Sequence, residues 1–246
     1  MRRFLLAVAV FPVLWSCAPA QPPGASMQAT IIQTSRAGDR LRELDAVPFS
    51  SSRATPERTI KLDPGTRFQT IVGFGGSFTE SSAFVLDQLS AEKRKSVIDA
   101  YFSDSGAAYS LTRTHINSCD FSLDHYDYVE PGDEALETFS IEPDMNDLVP
   151  LIRDAAAAPG ASFKIIASPW TAPPWMKDNT SWYGGSLKPE LQPVWAHYFS
   201  KYLQAYRDQG IEIWAITPEN EPLGNGGQWD SMHFTPESMR DFIRDH

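Results

Sequence analysis

The stretch ITPENEP, Ile216 to Pro222, sets Glu219 and Glu221 on either side of Asn220. A carboxylic acid can hand a proton to a departing oxygen, and an amide beside it can hold a neighbouring hydroxyl. Chemistry of that kind on a glycosidic bond needs a second carboxylate, which attacks or assists from the opposite face of the ring. Two further segments carry polar or aromatic residues where strands are expected to end: Asp120 in INSCDFS and Trp170 in ASPWTAPPW. Taken singly, each has an ordinary reading, Asp120 as a turn former and Trp170 as a packed lid. Three such segments on successive strands point instead to one pocket, because the C-terminal ends of barrel strands all open onto one face. An acid working there near neutral pH needs a raised pKa, which partial burial against a ring such as Trp170 would supply. Asn220, beside Glu221, suits a hydrogen bond to a sugar 2-hydroxyl.

Other chemistries lack their residues. GFGGSFTE, Gly73 to Glu80, has Phe78 where a dinucleotide fingerprint needs its third glycine, and no phosphate loop occurs. The glycines are read as permitting a tight strand exit beneath a site. His115, His125, His197, His233 and His246 show no metal-ligand spacing, and there is no Gly-x-Ser-x-Gly elbow. No metal and no cofactor is therefore expected.

The elements that must position these residues follow from periodicity. Short β-like runs, ATIIQTS, RTIKLD and RFQTIVGFGG, occupy the region before Gly73. Beyond it, LSAEKRKSVIDAYFS reads as a helix capped by Ser90, AYSLTRTHIN as a strand, and DMNDLVPLIRDAAAA as a helix with Pro150 in its first turns. SFKIIASPW is a strand. In PVWAHYFSKYLQAYRDQG, Val194, Trp195, Tyr198, Phe199, Tyr202, Leu203 and Tyr206 form one apolar stripe, with Gly210 as its C-terminal stop. IEIWAITPE reads as a strand, and FTPESMRDFIRDH opens a helix with Thr235 as cap and Pro236 at its first position. This alternation predicts an α/β fold with a parallel sheet and about four βα units.

The N-terminus has a basic start, Arg2 and Arg3, an apolar run from Phe4 to Trp15, and then Ser16-Cys17. The run is too short to span a bilayer and reads as an export signal. Leu14 to Cys17 resembles a bacterial lipobox, whose Cys is lipidated; a plain signal peptide cleaved near Ala18 or Ala20 is the alternative. The domains expected are a signal at 1–16, a flexible tether at 17–27, strands at 28–67 and a βα region at 68–246. With Cys17 lipidated, Cys119 has no disulfide partner and reads as a small buried residue. Localisation is then the bacterial cell envelope, periplasm or outer surface, with the membrane reached through the lipid anchor only. A formal net charge of −10 with no basic stripe excludes nucleic acid as a partner. Seven Trp suit a sugar cleft, although core filling is their commoner use.

Five ordered blocks, GFGGSFTESSA, SLTRTHINSCDFS, SPWTAPPWMKDN, WAITPENEP and FTPESMRDFI, closely resemble glycoside hydrolase family 30. That family includes glucosylceramidase, bacterial β-glucosidases and β-1,6-glucanases. The resemblance implies a (β/α)8 TIM barrel with an associated β-sandwich, to which the strands at 28–67 would belong. It implies a retaining mechanism on a carbohydrate substrate, a β-glucoside or β-glucan. Glu221 is then the acid/base, Asn220 holds the 2-hydroxyl, Asp120 and Trp170 bind the non-reducing glucose, and Glu219 is a supporting residue. The family's nucleophile lies about a hundred residues beyond the acid/base, on the seventh barrel strand. The resemblance therefore implies that residues 68–246 are the N-terminal part of a barrel, truncated at its C-terminus, inactive alone, with the nucleophile absent from this chain. Two alternatives stand beside the enzyme: a non-catalytic glycan-binding surface lipoprotein on the same fold, and a half-barrel interaction module.

Overall fold

A computed structural model of the protein describes residues 27–49, 60–223 and 227–246. The expected signal, Cys17 and nearly all of the tether lie outside the described residues. The chain divides into two compact units, Met1–Arg67 and Phe68–His246.

In the first unit β1 (Gln28–Gln33) pairs antiparallel with β2 (Arg42–Pro48), with a bulge between Ala29 and Ile31. Asp39 organises the connection, accepting hydrogen bonds from Gln33 Nε2 at 2.6 Å, Ser35 Oγ at 2.8 Å and Arg42 at 3.3 Å. β1 falls where ATIIQTS places it. β2, RELDAVP, was not expected, because its charged side chains hide the alternation that marks a half-buried strand. The described part of RTIKLD, residues 60–63, forms no strand.

In the second unit the sheet runs β3 (Leu111–Ile116), β4 (Lys164–Pro169), β5 (Ala215–Ile216), all parallel. A fourth parallel segment lies on the far side of β3, where Phe78 N–H donates to Arg113 O at 2.8 Å and Arg113 N–H to Gly76 O at 3.1 Å. GFGG is glycine-rich for this close approach. A Cβ on Gly75 would stand 2.0 Å from Leu111 O, so the glycines admit a neighbouring strand rather than a tight exit. Helices follow each strand in turn: α1 (Glu80–Asp87) and α2 (Ala91–Phe102), then α3 (Leu148–Ala156), α4 (Gln192–Asp208) and α5 (Pro236–Asp245). This is the parallel βα pattern expected from the sequence, as a partial sheet. Among the described residues the sheet does not close, and Phe74 at one side and Trp214 and Ile216 at the other stay exposed.

The helix ends follow local chemistry. Ser90 Oγ accepts from Lys93 N–H, and Pro150 falls in the first turn of α3. Thr235 and Ser238 form a reciprocal capping box at α5. At the end of α4, Gly210 takes φ +78°, its N–H donates to Arg207 O and Ile211 N–H to Tyr206 O, a Schellman stop. α1 was not anticipated, although Thr79 caps it through Ser82 N–H.

The core is aromatic and contains one acid. Trp195, Tyr198, Tyr202 and Tyr206 of α4 are fully buried. Their neighbour Asp144, also buried, accepts hydroxyl donations from Tyr128 at 2.6 Å, Tyr206 at 2.7 Å and Tyr126 at 2.9 Å. Burial raises its pKa to about 6 against the pull of those three donors. Leaving any one of these hydroxyls without the carboxylate would cost the desolvation of a buried donor, so the cluster fixes the register of α4.

Candidate active site

The parallel register decides what meets at the C-terminal ends of the strands. Ile116 is paired with Pro169, and Asn220 N–H donates to Pro169 O at 2.8 Å. The residues that follow β3, β4 and β5 therefore emerge side by side.

Arg113, in the middle of β3, ties them together. Its Nε donates to Ser168 Oγ at 2.9 Å and its Nη2 to Asn220 Oδ1 at 2.8 Å, while the guanidinium lies 4.5 Å from the centre of the Trp170 ring. Thr217 Oγ1 completes the row with a 2.7 Å bond to Ser168 Oγ. Arginine only donates, so the Asn220 atom facing it must be the carbonyl oxygen. That fixes the amide orientation and turns the Nδ2 hydrogens away as donors. Burial lowers the Arg113 pKa, opposed by Cys119, Glu221 and Asp120, so all three lie within electrostatic reach of it. Sequence reasoning missed Arg113. Its signal was there: a charged residue in mid-strand, in TRT, where a parallel strand covered on both faces is normally apolar.

Of the expected site residues, the structure thus joins Trp170 and Asn220 through Arg113. Asp120 and Glu221 stand exposed at the rim and make no hydrogen bond to each other. Glu221 has φ +48°, a left-handed conformation uncommon outside glycine. Glu221 is exposed rather than buried against Trp170, whose ring lies 4.5 Å from the Arg113 guanidinium. Of the two glutamates, the buried one is Glu219. It is 6% exposed, neither of its oxygens has a hydrogen-bond partner, and burial raises its pKa well above the ordinary value.

Lys177, whose charge opposes that rise, is also fully buried. Its ammonium donates to Ser181 O at 2.6 Å, Thr171 Oγ1 at 2.7 Å and Ser231 O at 2.9 Å. An ammonium has three hydrogens, and all are committed. Glu219 therefore feels the charge of Lys177 without a hydrogen bond from it. Lys177 itself is lowered to about 8 by burial. Its three acceptors lie in the loops after β4 and β5, so it staples those loops together.

Other side chains frame the floor. His115 accepts Glu80 N–H on Nε2 at 3.2 Å, so its Nδ1 carries the proton given to Asn117 O at 2.7 Å. Burial lowers its pKa, which holds it neutral. Glu80 Oε2 in turn accepts Leu123 N–H at 2.8 Å and pins the loop that carries Asp120. Cys119 is buried and its thiol is pushed up to about 12, unsuited to attack and in line with its reading as a packed residue. Ser77, Phe78, Thr79, Arg113, His115 and Trp170 are among the residues around a cavity of about 300 Å³ beside this floor.

Residues 71–246 match the glycosyl hydrolase family 30 TIM-barrel domain. Lysosomal acid glucosylceramidase from Mus musculus is 38% identical over 221 residues, covering 86% of this chain and 43% of that protein. SrfJ from Salmonella typhimurium superposes with a TM-score of 0.78 at 35% identity, over 88% of this chain and 48% of that one. An endo-β1,6-glucanase of known structure gives 0.69 at 34% identity, over 75% and 42%. The chain spans about half the length of the relatives it matches.

Proposed function

The chain belongs to glycosyl hydrolase family 30, and on that premise we propose that the complete protein is a retaining glycosidase of the glucosylceramidase type, acting on β-glucosides. The observation that carries this reading is the Arg113-held Asn220, whose donors are oriented at the strand ends next to Glu221. In the first step Glu221, as the acid, gives its proton to the leaving oxygen as the C1–O bond breaks, and a carboxylate nucleophile bonds to C1. In the second, ionised Glu221 takes a proton from water, whose oxygen bonds to C1 and releases the nucleophile. Asn220 Nδ2 holds the 2-hydroxyl, and Asp120 and Trp170 bind the glucose ring. We assign the nucleophile to a carboxylate of the complete protein outside residues 1–246, and residues 1–246 alone are expected to be inactive. The mouse and glucanase similarities support glucosylceramide-like lipids, simple β-glucosides and β-1,6-glucan as substrate classes. Arg2, Arg3, the apolar run to Trp15 and Cys17 support export and lipidation, and with them a location in the bacterial cell envelope, periplasm or outer surface.

The test is the complete protein, expressed from its source gene, on 4-nitrophenyl β-glucoside, with the anomer of the product followed by NMR. Retention is expected, and Glu221→Gln should lower kcat by about 10²–10⁴-fold. The loss should be far smaller on a 2,4-dinitrophenyl glucoside, whose leaving group needs no proton. An inverted product, or an unimpaired Glu221→Gln enzyme, overturns the mechanism. Glycan binding without any hydrolysis would establish the non-catalytic reading instead.

A further inference from the structure

Asn117, directly after β3, is fully buried and takes φ +62°. Asparagine tolerates that left-handed conformation better than most residues with a side chain, and glycine adopts it at no steric cost. What glycine could not supply is the amide, and both ends of that amide are engaged. Thr171 O can only accept, so the Asn117 atom 3.2 Å from it is Nδ2, and Oδ1 on the other side accepts the Tyr198 hydroxyl. The Tyr198 oxygen in turn accepts Tyr128 N–H at 2.8 Å. The Asn117 main-chain oxygen is taken by His115 Nδ1 at 2.7 Å. Backbone, amide orientation and partners are thus all set by buried neighbours.

The bond to Thr171 O crosses between two loops. Asp120 lies three residues after Asn117, and Trp170 immediately precedes Thr171. Other contacts hold these loops to third parties. Ser81 N–H donates to Phe121 O at 3.0 Å and Glu80 Oε2 accepts Leu123 N–H, both from α1. Ser118 Oγ donates to Asp230 Oδ2 at 2.6 Å, and Lys177 ties Thr171 Oγ1 to the Ser181 and Ser231 carbonyls. The two loops meet again further out, where His125 Nε2 lies 3.0 Å from the Tyr183 hydroxyl and His125 Nδ1 is held by Asp230 Oδ1 at 2.8 Å. That outer contact is open to water, with the His125 side chain 36% and Tyr183 39% exposed, whereas Asn117 and Thr171 are wholly buried. A hydrogen bond shielded from water is the stronger constraint. Asp120 is exposed, so the place of its carboxylate depends on the backbone that Asn117 anchors.

We propose that Asn117 is a positioning residue for sugar binding, whose side chain sets the spacing between Asp120 and Trp170. The inference rests on the glycosidase reading above, which gives those two residues the glucose ring to bind. One rigid ring must fit both groups at once, so a change in the gap between the loops weakens both contacts together. Such a loss falls on binding that ground state and transition state share, and therefore on KM rather than kcat. Asn117 touches no substrate itself; it acts through the two loops it joins.

The experiment measures glucose binding by tryptophan fluorescence and hydrolysis of 4-nitrophenyl β-glucoside, on the complete protein and three variants. Asn117→Gly keeps the left-handed backbone and deletes the bridge. Asn117→Asp keeps an acceptor for Tyr198 but sets an oxygen against Thr171 O. Tyr206→Phe takes one hydroxyl from Asp144, weakens the core away from the bridge, and serves as the control. In both Asn117 variants the Kd for glucose and KM should rise about tenfold with kcat within about twofold, while Tyr206→Phe changes neither constant. Should the Asn117 variants not fold, Tyr198→Phe, which releases the oxygen side of the amide, is read in the same way with a smaller rise. Unchanged Kd and KM, or rises matched by Tyr206→Phe, would make Asn117 purely structural and overturn the proposal. A fall in kcat at constant KM would also overturn it, since the effect would then lie on the reacting groups. The glycosidase reading is judged on the wild type alone. A wild type that hydrolyses nothing yet binds glucose more tightly than Asn117→Gly overturns the enzyme and leaves the bridge standing; one that binds no glucose overturns both.

Discussion

The floor beneath the strand ends and the rim above it are built on opposite terms. On the floor, Arg113, Ser168, Thr217, Lys177, Thr171, His115 and Asn117 are at least half buried and hydrogen-bonded side chain to side chain or to backbone. On the rim, Asp120 and Glu221 are exposed. The contrast teaches that positioning and chemistry are divided. Buried donors with no conformational choice set where the strand ends lie, and the groups proposed to touch substrate are presented from them. Glu219 breaks the pattern, being buried on the floor without a hydrogen bond for either oxygen. The comparison can be broken from either side.

The largest effect should come from the floor's own staple. Lys177→Met removes three charge-assisted hydrogen bonds and takes from Glu219 the cation whose charge favours its ionised form. Loss of one partner from a buried charged cluster costs about 3–5 kcal/mol. Urea denaturation of the complete protein, followed by tryptophan fluorescence, should show a loss of that size. A cost below about 1 kcal/mol would mean that the loops after β4 and β5 are held by other contacts, and the division into floor and rim would fail.

Arg113→Lys should have an intermediate effect, and one weighted toward function. Lysine keeps the charge but cannot reach Ser168 and Asn220 together or lie flat over Trp170. Stability should fall by about 1–2 kcal/mol, while kcat/KM on an aryl glucoside falls at least tenfold because the Asn220 amide is no longer oriented. If stability and activity fall by matching factors, Arg113 only supports the fold, and the division of labour drawn here is wrong at its centre.

Much of the floor's scaffold was legible in the sequence. The α4 stripe, its Gly210 stop, the Thr235 cap and the strands β3 and β4 follow from short-range rules that act within one element. What failed did so for identifiable reasons. IEIWAITPE reads as a nine-residue strand, yet β5 is two residues long, since its run of β-forming residues says nothing about how far β4 offers partners. The His125–Asp230 pair spans two loops far apart in sequence, and no local spacing could announce it. The two glutamates were told apart by the family resemblance and not by their spacing, for a third reason. In extended chain residues two apart face the same way, so Glu219 and Glu221 look equivalent. The left-handed turn at Glu221 separates them, sending one outward while the other stays beneath the loops.

Glu219 also gives the smallest and sharpest of the expected effects. Its folded pKa is raised by burial, more than Lys177 lowers it. A raised pKa means the folded chain holds the proton more tightly than the unfolded one. The stability this contributes is fully present below the ordinary glutamate pKa and is lost as pH rises through the folded value. Asp144, raised to about 6, acts in the same direction over pH 4–6, so the wild type should weaken across that window and beyond it. Glu219→Gln removes the ionisation while keeping the shape. The variant should match the wild type within about 0.5 kcal/mol at pH 4.5 and exceed it by about 1–2 kcal/mol at pH 8, where the wild-type carboxylate must either ionise in a buried site or hold its proton against solvent. Melting curves at the two pH values measure the difference directly. A Glu219→Gln protein less stable than wild type at pH 8 would mean that the Lys177 charge interaction outweighs the burial of the carboxylate. Glu219 would then belong with the rest of the floor, as a partnered member rather than its exception.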